Sequence, residues 1–195
     1  MGKSHSQHAS ELSPKTGTAF TRALAGWVLK ALGWSLKGQI PNVKKCIFIG
    51  APHTSNWDLI LALATMHHIG LKCSWMMKKE AFVWPLGGLF KKLGGVPIDR
   101  KKGKDIASQM TEWFATQEKA WLGITPEGTR SKVKNFKKGY LRIAYAADIP
   151  VFLVALNGPK KEIILDKIWD LKFDVELDNR EIKAYYDEHY KGVRY

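Results

Sequence analysis

From Lys45 onward, short apolar runs alternate with stretches whose apolar positions follow a helical period. "KCIFIGAP", "LKCSWMM", "GVPIDR", "WLGITPEG" and "PVFLVAL" read as strands. "DLILALATMHHIG", "EAFVWPLGGLFKKLG", "DIASQMTEWFATQEK" and "KGYLRIAYAADI" read as helices between them. In "DIASQMTEWF", Ile106, Met110, Trp113 and Phe114 repeat at i, i+4, i+7 and i+8, the stripe of a helix that covers a sheet. Strands alternating with helices predict an α/β domain. After Ile163, "EIILDKIWDLKFDVEL" predicts two edge strands, and "REIKAYYDEHY" an acidic, Tyr-rich helix. Ahead of the domain, "FTRALAGWVLKALGWSLKG" (Phe20 to Gly38) predicts one amphipathic helix with Trp27 and Trp34 on a broad apolar face. The polar, Ser-rich residues before it predict a flexible tail. The expected organisation is therefore a tail over 1–17, an N-terminal amphipathic helix over 18–38, and a single α/β domain over 39–195.

Composition sharpens this only in part. At 195 residues and 45% hydrophobic, the chain can bury a core as one domain but hardly as two. Lys and Arg total 31 against 18 Asp and Glu, a net charge of +13, so an anionic partner is expected: a phosphorylated ligand, a membrane surface or nucleic acid. The excess is local. Nine basic residues stand against two acidic ones between Leu71 and Lys104, and six against none between Arg130 and Arg142. Two cysteines, Cys46 and Cys73, make no disulfide framework, which points to a reducing compartment, and no metal-ligand spacing occurs. No run reaches the roughly 18 uncharged apolar residues of a membrane span. The start, "MGKSHSQHASELSPK", lacks the apolar stretch of a signal peptide. A soluble or peripheral protein is expected.

Candidate chemistry gathers at strand ends, where open α/β sheets place ligands. In "GAPHTSNWDLI" a strand ending near Gly50 passes into a helix near Ser55. His53 falls in the turn, and Ser55 with Asp58 forms the S-x-x-D pattern of a helix start. Asp58 can be a cap and His53 a loop residue. Alternatively His53 is a general base whose tautomer Asp58 fixes. No G-x-S-x-G elbow accompanies them, so such a base would activate a substrate hydroxyl directly. "ITPEGTRSK" carries Arg130 beyond a Gly-containing turn, with its planar donor fork suited to phosphate, and "GGVPIDR" carries Arg100 to the end of another strand.

Taken in order, these stretches resemble the glycerolipid acyltransferases, the family that acylates lysophosphatidic acid (1-acylglycerol-3-phosphate). His53 to Asp58 matches its H-x-x-x-x-D motif, Gly94 to Arg100 its G-x-I-F-I-D-R motif, and Glu127 to Ser131 its E-G-T-R-S motif; "IPVFLVAL" from Ile149 matches its proline-opened strand. The likeness covers roughly residues 45 to 157. It implies a fold like glycerol-3-phosphate acyltransferase, a mixed, mainly parallel sheet flanked by helices. It also implies acyl transfer from acyl-CoA or acyl-carrier protein to a lysophospholipid hydroxyl, with no metal, no cofactor beyond the acyl donor, and no covalent enzyme intermediate. His53 would be the base and Asp58 its partner. Gly128, Thr129, Arg130 and Ser131, with Arg100 assisting, would hold the acceptor phosphate, and Glu127 would organise the loop. Two positions depart from the family: Pro52 stands where many members have Asn, and Pro97 replaces an aromatic residue. Both leave room for another lipid acceptor, a lyso-aminolipid or a glycolipid.

With no membrane span, the likeness further implies a peripheral enzyme on the cytoplasmic face of an anionic membrane, held by helix 18–38 and the Lys-rich surface. "LILALA" after Asp58 would be core or part of an acyl-chain groove. A basic nucleic-acid module is the rival from another class, but no nucleic-acid fold signature appears, so nucleic acid is not an expected partner.

Overall fold

A computed structural model describes His8 and residues 10–55, 57–99 and 105–193. Its centre is a five-stranded sheet. β1 (Ser35–Gly38), β7 (Glu162–Ile168), β6 (Val151–Asn157), β2 (Lys45–Ala51) and β5 (Ala120–Ile124) lie in that order. β2 runs parallel to both β5 and β6, β6 and β7 are antiparallel, and β7 and β1 are parallel. The sheet is mixed and mainly parallel, as the pattern and the resemblance led one to expect. β3 (Trp75–Lys78) and β4 (Gly95–Ile98) form a second, two-stranded parallel sheet, joined to β5 through a parallel bridge from Ser74 to Leu122.

β2 and β6 are apolar almost throughout because both of their faces are covered. Along β2 the side chains alternate. Ile47 and Ile49 join Leu122, Leu153 and the helices α4 (Ile106–Ala115), α5 (Gly139–Ala147) and α6 (Val175–His189) in one core. Cys46 and Phe48 join Trp121, Phe152 and the helix α2 (Trp57–Ile69) in a second core on the opposite face. The helix α1 (Ala19–Ala31) packs outside α2 through Leu29 and Leu61.

Three expectations give way. The N-terminal helix stops at Ala31 rather than Gly38: Gly33 takes a left-handed φ of 75°, and the amides of Gly33 and Trp34 bond back to Lys30 and Leu29. "SLKG" then becomes β1, because its backbone groups find partners on β7. Trp34 is half-buried against Leu29, Leu61 and Ile163, so this end packs on the domain, whereas Trp27 is exposed. Residues 1–7 lie outside the described set, but from Ser10 the chain is not a free tail. Ser10 and Ser13 are buried, Ser10 Oγ donates to Asn42 at 2.8 Å, and Lys15 bridges to Leu71. In place of two edge strands after Ile163 there is one, β7, enclosed between β6 and β1. The segment "DVEL" supplies the start of α6, with Asp174 as N-cap accepting from the amides of Glu176 and Leu177.

Candidate active site

Because β2, β5 and β6 are parallel, the turns after β2 and β5 open on the same edge of the sheet. The first carries His53 and the second Thr125 to Ser131. His53, Thr125, Gly128, Thr129, Arg130 and Ser131 line an open cleft of about 530 Å³.

The His53 turn is built around Asp58, a residue of the first helical turn of α2 and almost fully buried. Its Oδ2 accepts from the amides of Thr54 at 2.6 Å and Ser55 at 2.8 Å, and its Oδ1 from Ser55 Oγ at 3.1 Å. Ser55 Oγ in turn accepts from the amide of Trp57 at 3.1 Å. This is the reciprocal cap that "SNWD" encodes. The same Oδ2 lies 2.9 Å from His53 Nδ1. One carboxylate thus starts the helix and fixes the imidazole, and Nε2 is the ring nitrogen with no hydrogen-bond partner among the described residues. The side chain of His53 is one-fifth exposed, at the wall of the cleft. The Ala51–Pro52 peptide immediately before it is cis.

Glu127 reaches the turn from the other side. Its Oε2 accepts the amide of His53 at 2.6 Å, tying the loop after β5 to the loop after β2. Burial pushes the Glu127 carboxyl up to about 7, while the His53 amide and the nearby charge of Lys183 pull it the other way. Gly128 follows with φ 63°. That backbone favours glycine, and the Lys137 side chain lies over the position, its Nζ 2.6 Å from where a Cβ would be. Thr129, Arg130 and Ser131 are exposed, and the Ser131 amide donates a long bond to Thr129 Oγ1 at 3.4 Å. Arg100 lies outside the described residues; its neighbour Asp99 directly follows β4, and the Asp99 amide and carbonyl bond the side chain of Gln109.

The fold therefore brings His53, Asp58, Glu127, Gly128, Thr129, Arg130 and Ser131 to one place. It adds Thr125 to the cleft and places three supporting residues nearby. Lys137 donates its amide to Pro126 O at 2.8 Å and lies against Gly128. Tyr186, fully buried, sets its hydroxyl 3.0 Å from Ile49 O and 3.1 Å from Val154 O, behind the ends of β2 and β6. Lys183 is paired with Asp187 and lies 5.5 Å from the Phe136 ring. "NFKKG" and "EIKAYYDEH" offered no local sign of these roles, which arise from contacts across the fold. Burial pushes the thiols of Cys46 and Cys73 up, which makes both poor nucleophiles. Among the described residues no cluster of His, Cys, Asp or Glu could hold a metal ion.

Comparison with known proteins gives a consistent picture. A probable 1-acyl-sn-glycerol-3-phosphate acyltransferase of Mycoplasma genitalium is 28% identical over 121 residues, 59% of this chain and 45% of that protein. The matched segment thus spans less than half of that relative's length. The crystal structure of the 1-acyl-sn-glycerophosphate (LPA) acyltransferase PlsC from Thermotoga maritima has the same fold. Its TM-score is 0.58 at 16% identity, over 87% of this chain and 78% of that one. The Acyltransferase family model matches residues 35–157, from β1 to the end of β6 and across the whole cleft. That match spans well over half of the sequence, and the chain belongs to the Acyltransferase family.

Proposed function

We propose that this chain moves a fatty acyl group from acyl-CoA or acyl-carrier protein to the free hydroxyl of a lysophospholipid, 1-acylglycerol-3-phosphate in the first instance. The observation that carries the reading is the 2.9 Å contact of His53 Nδ1 with the buried Asp58, which leaves Nε2 at the wall of the cleft that Arg130 also lines.

The chemistry follows from that arrangement. Asp58 holds the proton on Nδ1, so unprotonated Nε2 takes the proton of the acceptor hydroxyl as its oxygen attacks the thioester carbonyl. The tetrahedral intermediate collapses, the carbon–sulfur bond breaks, and the imidazolium returns the proton to the departing thiolate. The ester and a free thiol result, with no enzyme-bound acyl group. Arg130, with the Gly128 backbone, Thr129 and Ser131, holds the phosphate so that the hydroxyl lies against His53, and Arg100 adds a second cation. Glu127 is a positioning residue that acts through the His53 amide. No helix among the described residues is long and apolar enough to cross a membrane. A peripheral placement on the cytoplasmic, anionic face of a membrane suits both the lipid substrate and the net charge of +13.

The test is transfer assayed with each donor against lysophosphatidic acid, lyso-aminolipids and glycolipids. Lysophosphatidic acid should be acylated with the highest kcat/KM, and His53→Ala should abolish transfer. Wild-type turnover by that variant would overturn the mechanism. If Arg130→Ala leaves the acceptor KM unchanged, the acceptor is one of the lipids without a phosphate.

A further inference from the structure

The segment from Phe82 to Leu93 leaves the C-terminal end of β3, on the same edge of the sheet as the cleft, since β3 runs parallel to β5 through the Ser74–Leu122 bridge. It is a small lobe, closed by α3 (Gly87–Leu93), with two chemically similar faces. The inner face is satisfied: Phe82 and Phe90 meet edge to face at 6.2 Å, and the Phe82 ring and the Phe90 carbonyl lie against Gly95 at the start of β4. Gly87 is locked where a Cβ would meet the Phe82 backbone at 2.6 Å, and its amide bonds Val83 O at 2.7 Å. The outer face ought then to be polar, and it is not. Val83 is 62% exposed, Trp84 93%, and Leu86, Leu89 and Leu93, one stripe along α3, are all at least half exposed. The lobe also carries charge of one sign. Lys78, Lys91 and Lys92 are exposed and have no carboxylate partner among the described residues, while Lys79 pairs with Asp99 at 3.4 Å. Glu80 is the single acid between Lys78 and Leu93.

An indole and four aliphatic side chains set out from a rigid base and ringed by lysines match a bilayer interface with anionic headgroups. A soluble partner of net negative charge would satisfy the lysines but would not by itself account for a nearly fully exposed Trp beside the lipid-handling edge. The geometry points to the Phe82–Leu93 lobe as a membrane-docking element. Trp84 and the Leu86, Leu89 and Leu93 stripe insert among the acyl chains, and Lys78, Lys91 and Lys92 contact lipid phosphates, so that the cleft edge faces the bilayer. The assignment deepens the lipid-acceptor reading above and rests on it for its purpose. Its test contains neither acyl donor nor acceptor, so either reading can fail without the other.

The full chain is sedimented with sucrose-loaded vesicles of phosphatidylcholine, alone and with added phosphatidylglycerol, beside a Trp84→Ser, Leu89→Ser variant and a Trp84→Phe variant. Wild type should prefer the anionic vesicles and lose binding as salt is raised. The double variant should bind about tenfold more weakly or worse at unchanged thermal stability, and Trp84→Phe should stay near wild type. Brominated lipid should quench a fluorescence component that is missing from Trp84→Phe. Equal partitioning of wild type and double variant, or absence of that component, would overturn the assignment. So would a concentration-dependent dimer, seen by light scattering, that the double variant abolishes, since the stripe would then belong to a second copy of the chain.

Discussion

The two walls of the cleft are built on opposite plans. On the His53 side the turn is tied within the protein: Asp58 accepts three hydrogen bonds and holds Nδ1, and Glu127 holds the His53 amide. On the Arg130 side, Thr129, Arg130 and Ser131 are exposed, with one long bond among them. A group that must deliver or accept a proton at one angle gains from being ordered before the substrate arrives. A cation that grips a phosphate can be ordered by the phosphate itself, at the cost of side-chain entropy on binding. Under the proposed mechanism the difference assigns turnover to the first wall and affinity to the second.

The largest expected break in that contrast is at the base. His53→Ala should reduce kcat by ~10²–10⁴ with little change in the acceptor KM or in thermal stability. Asp58→Asn comes next. It keeps the size of the side chain but loses the charge that steadies an imidazolium, so kcat should fall by roughly 10²-fold or more. Because the same oxygens accept from Thr54 and Ser55, stability should fall too, by about 1–3 kcal/mol. Kinetics and thermal denaturation of the two variants together separate the base from its anchor. Arg130→Ala should do the reverse of His53→Ala, raising the acceptor KM by about tenfold to a hundredfold while kcat for saturating acceptor changes less. If Arg130→Ala lowers kcat and leaves KM alone, the division between the walls is wrong.

Much of this was legible in the sequence, for a physical reason. The cap "SNWD" is local, its partners lie within four residues, and the strand before it is apolar on both faces, so pattern and spacing place His53 at a strand end. The E-G-T-R-S turn is local in the same way. Long-range pairing was not legible. "SLKG" continues the apolar face of the preceding helix, and it becomes a strand because β7 offers a free ladder 127 residues later, as in the Ser35–Glu162 pair. Ser10 and Ser13 look like tail residues until Asn42 and the Ser10 carbonyl accept their hydroxyls. Tyr186, Lys183 and Lys137 support the cleft from elements whose own sequences say only helix and loop. Arg100, legible as the end of a strand, lies beyond the described part of that strand's exit.

Glu127 sharpens the contrast by pH. Folding lifts its carboxyl from 4.5 to about 7 because it is buried. Between those values the native chain holds a proton that the unfolded chain has released, so stability is highest at the acid end of the window and falls as pH rises through it. The loss is roughly 3 kcal/mol at most. Glu127→Gln keeps an acceptor for the His53 amide but cannot ionise. Chemical denaturation at several pH values should show a wild-type stability that declines between about pH 4.5 and 7 and a variant whose profile lacks that slope. Equal slopes in the two proteins would mean that the buried carboxyl does not titrate in this window.

The smallest expected effect is the most discriminating, because it separates two jobs of one side chain. Ser55→Ala removes the hydroxyl that accepts from Trp57 and donates to Asp58, but leaves the carboxylate, the Thr54 and Ser55 amides and His53 in place. The loss of a helix cap should lower stability by about 0.5–2 kcal/mol. If the two amides alone suffice to hold Asp58, kcat should stay within about twofold of wild type and its pH profile should not move, since the Nδ1 contact does not pass through Ser55. A large fall in kcat without a matching fall in stability would mean that the hydroxyl orients the carboxylate for His53. The cap would then be part of the proton-transfer apparatus rather than the support on which it stands.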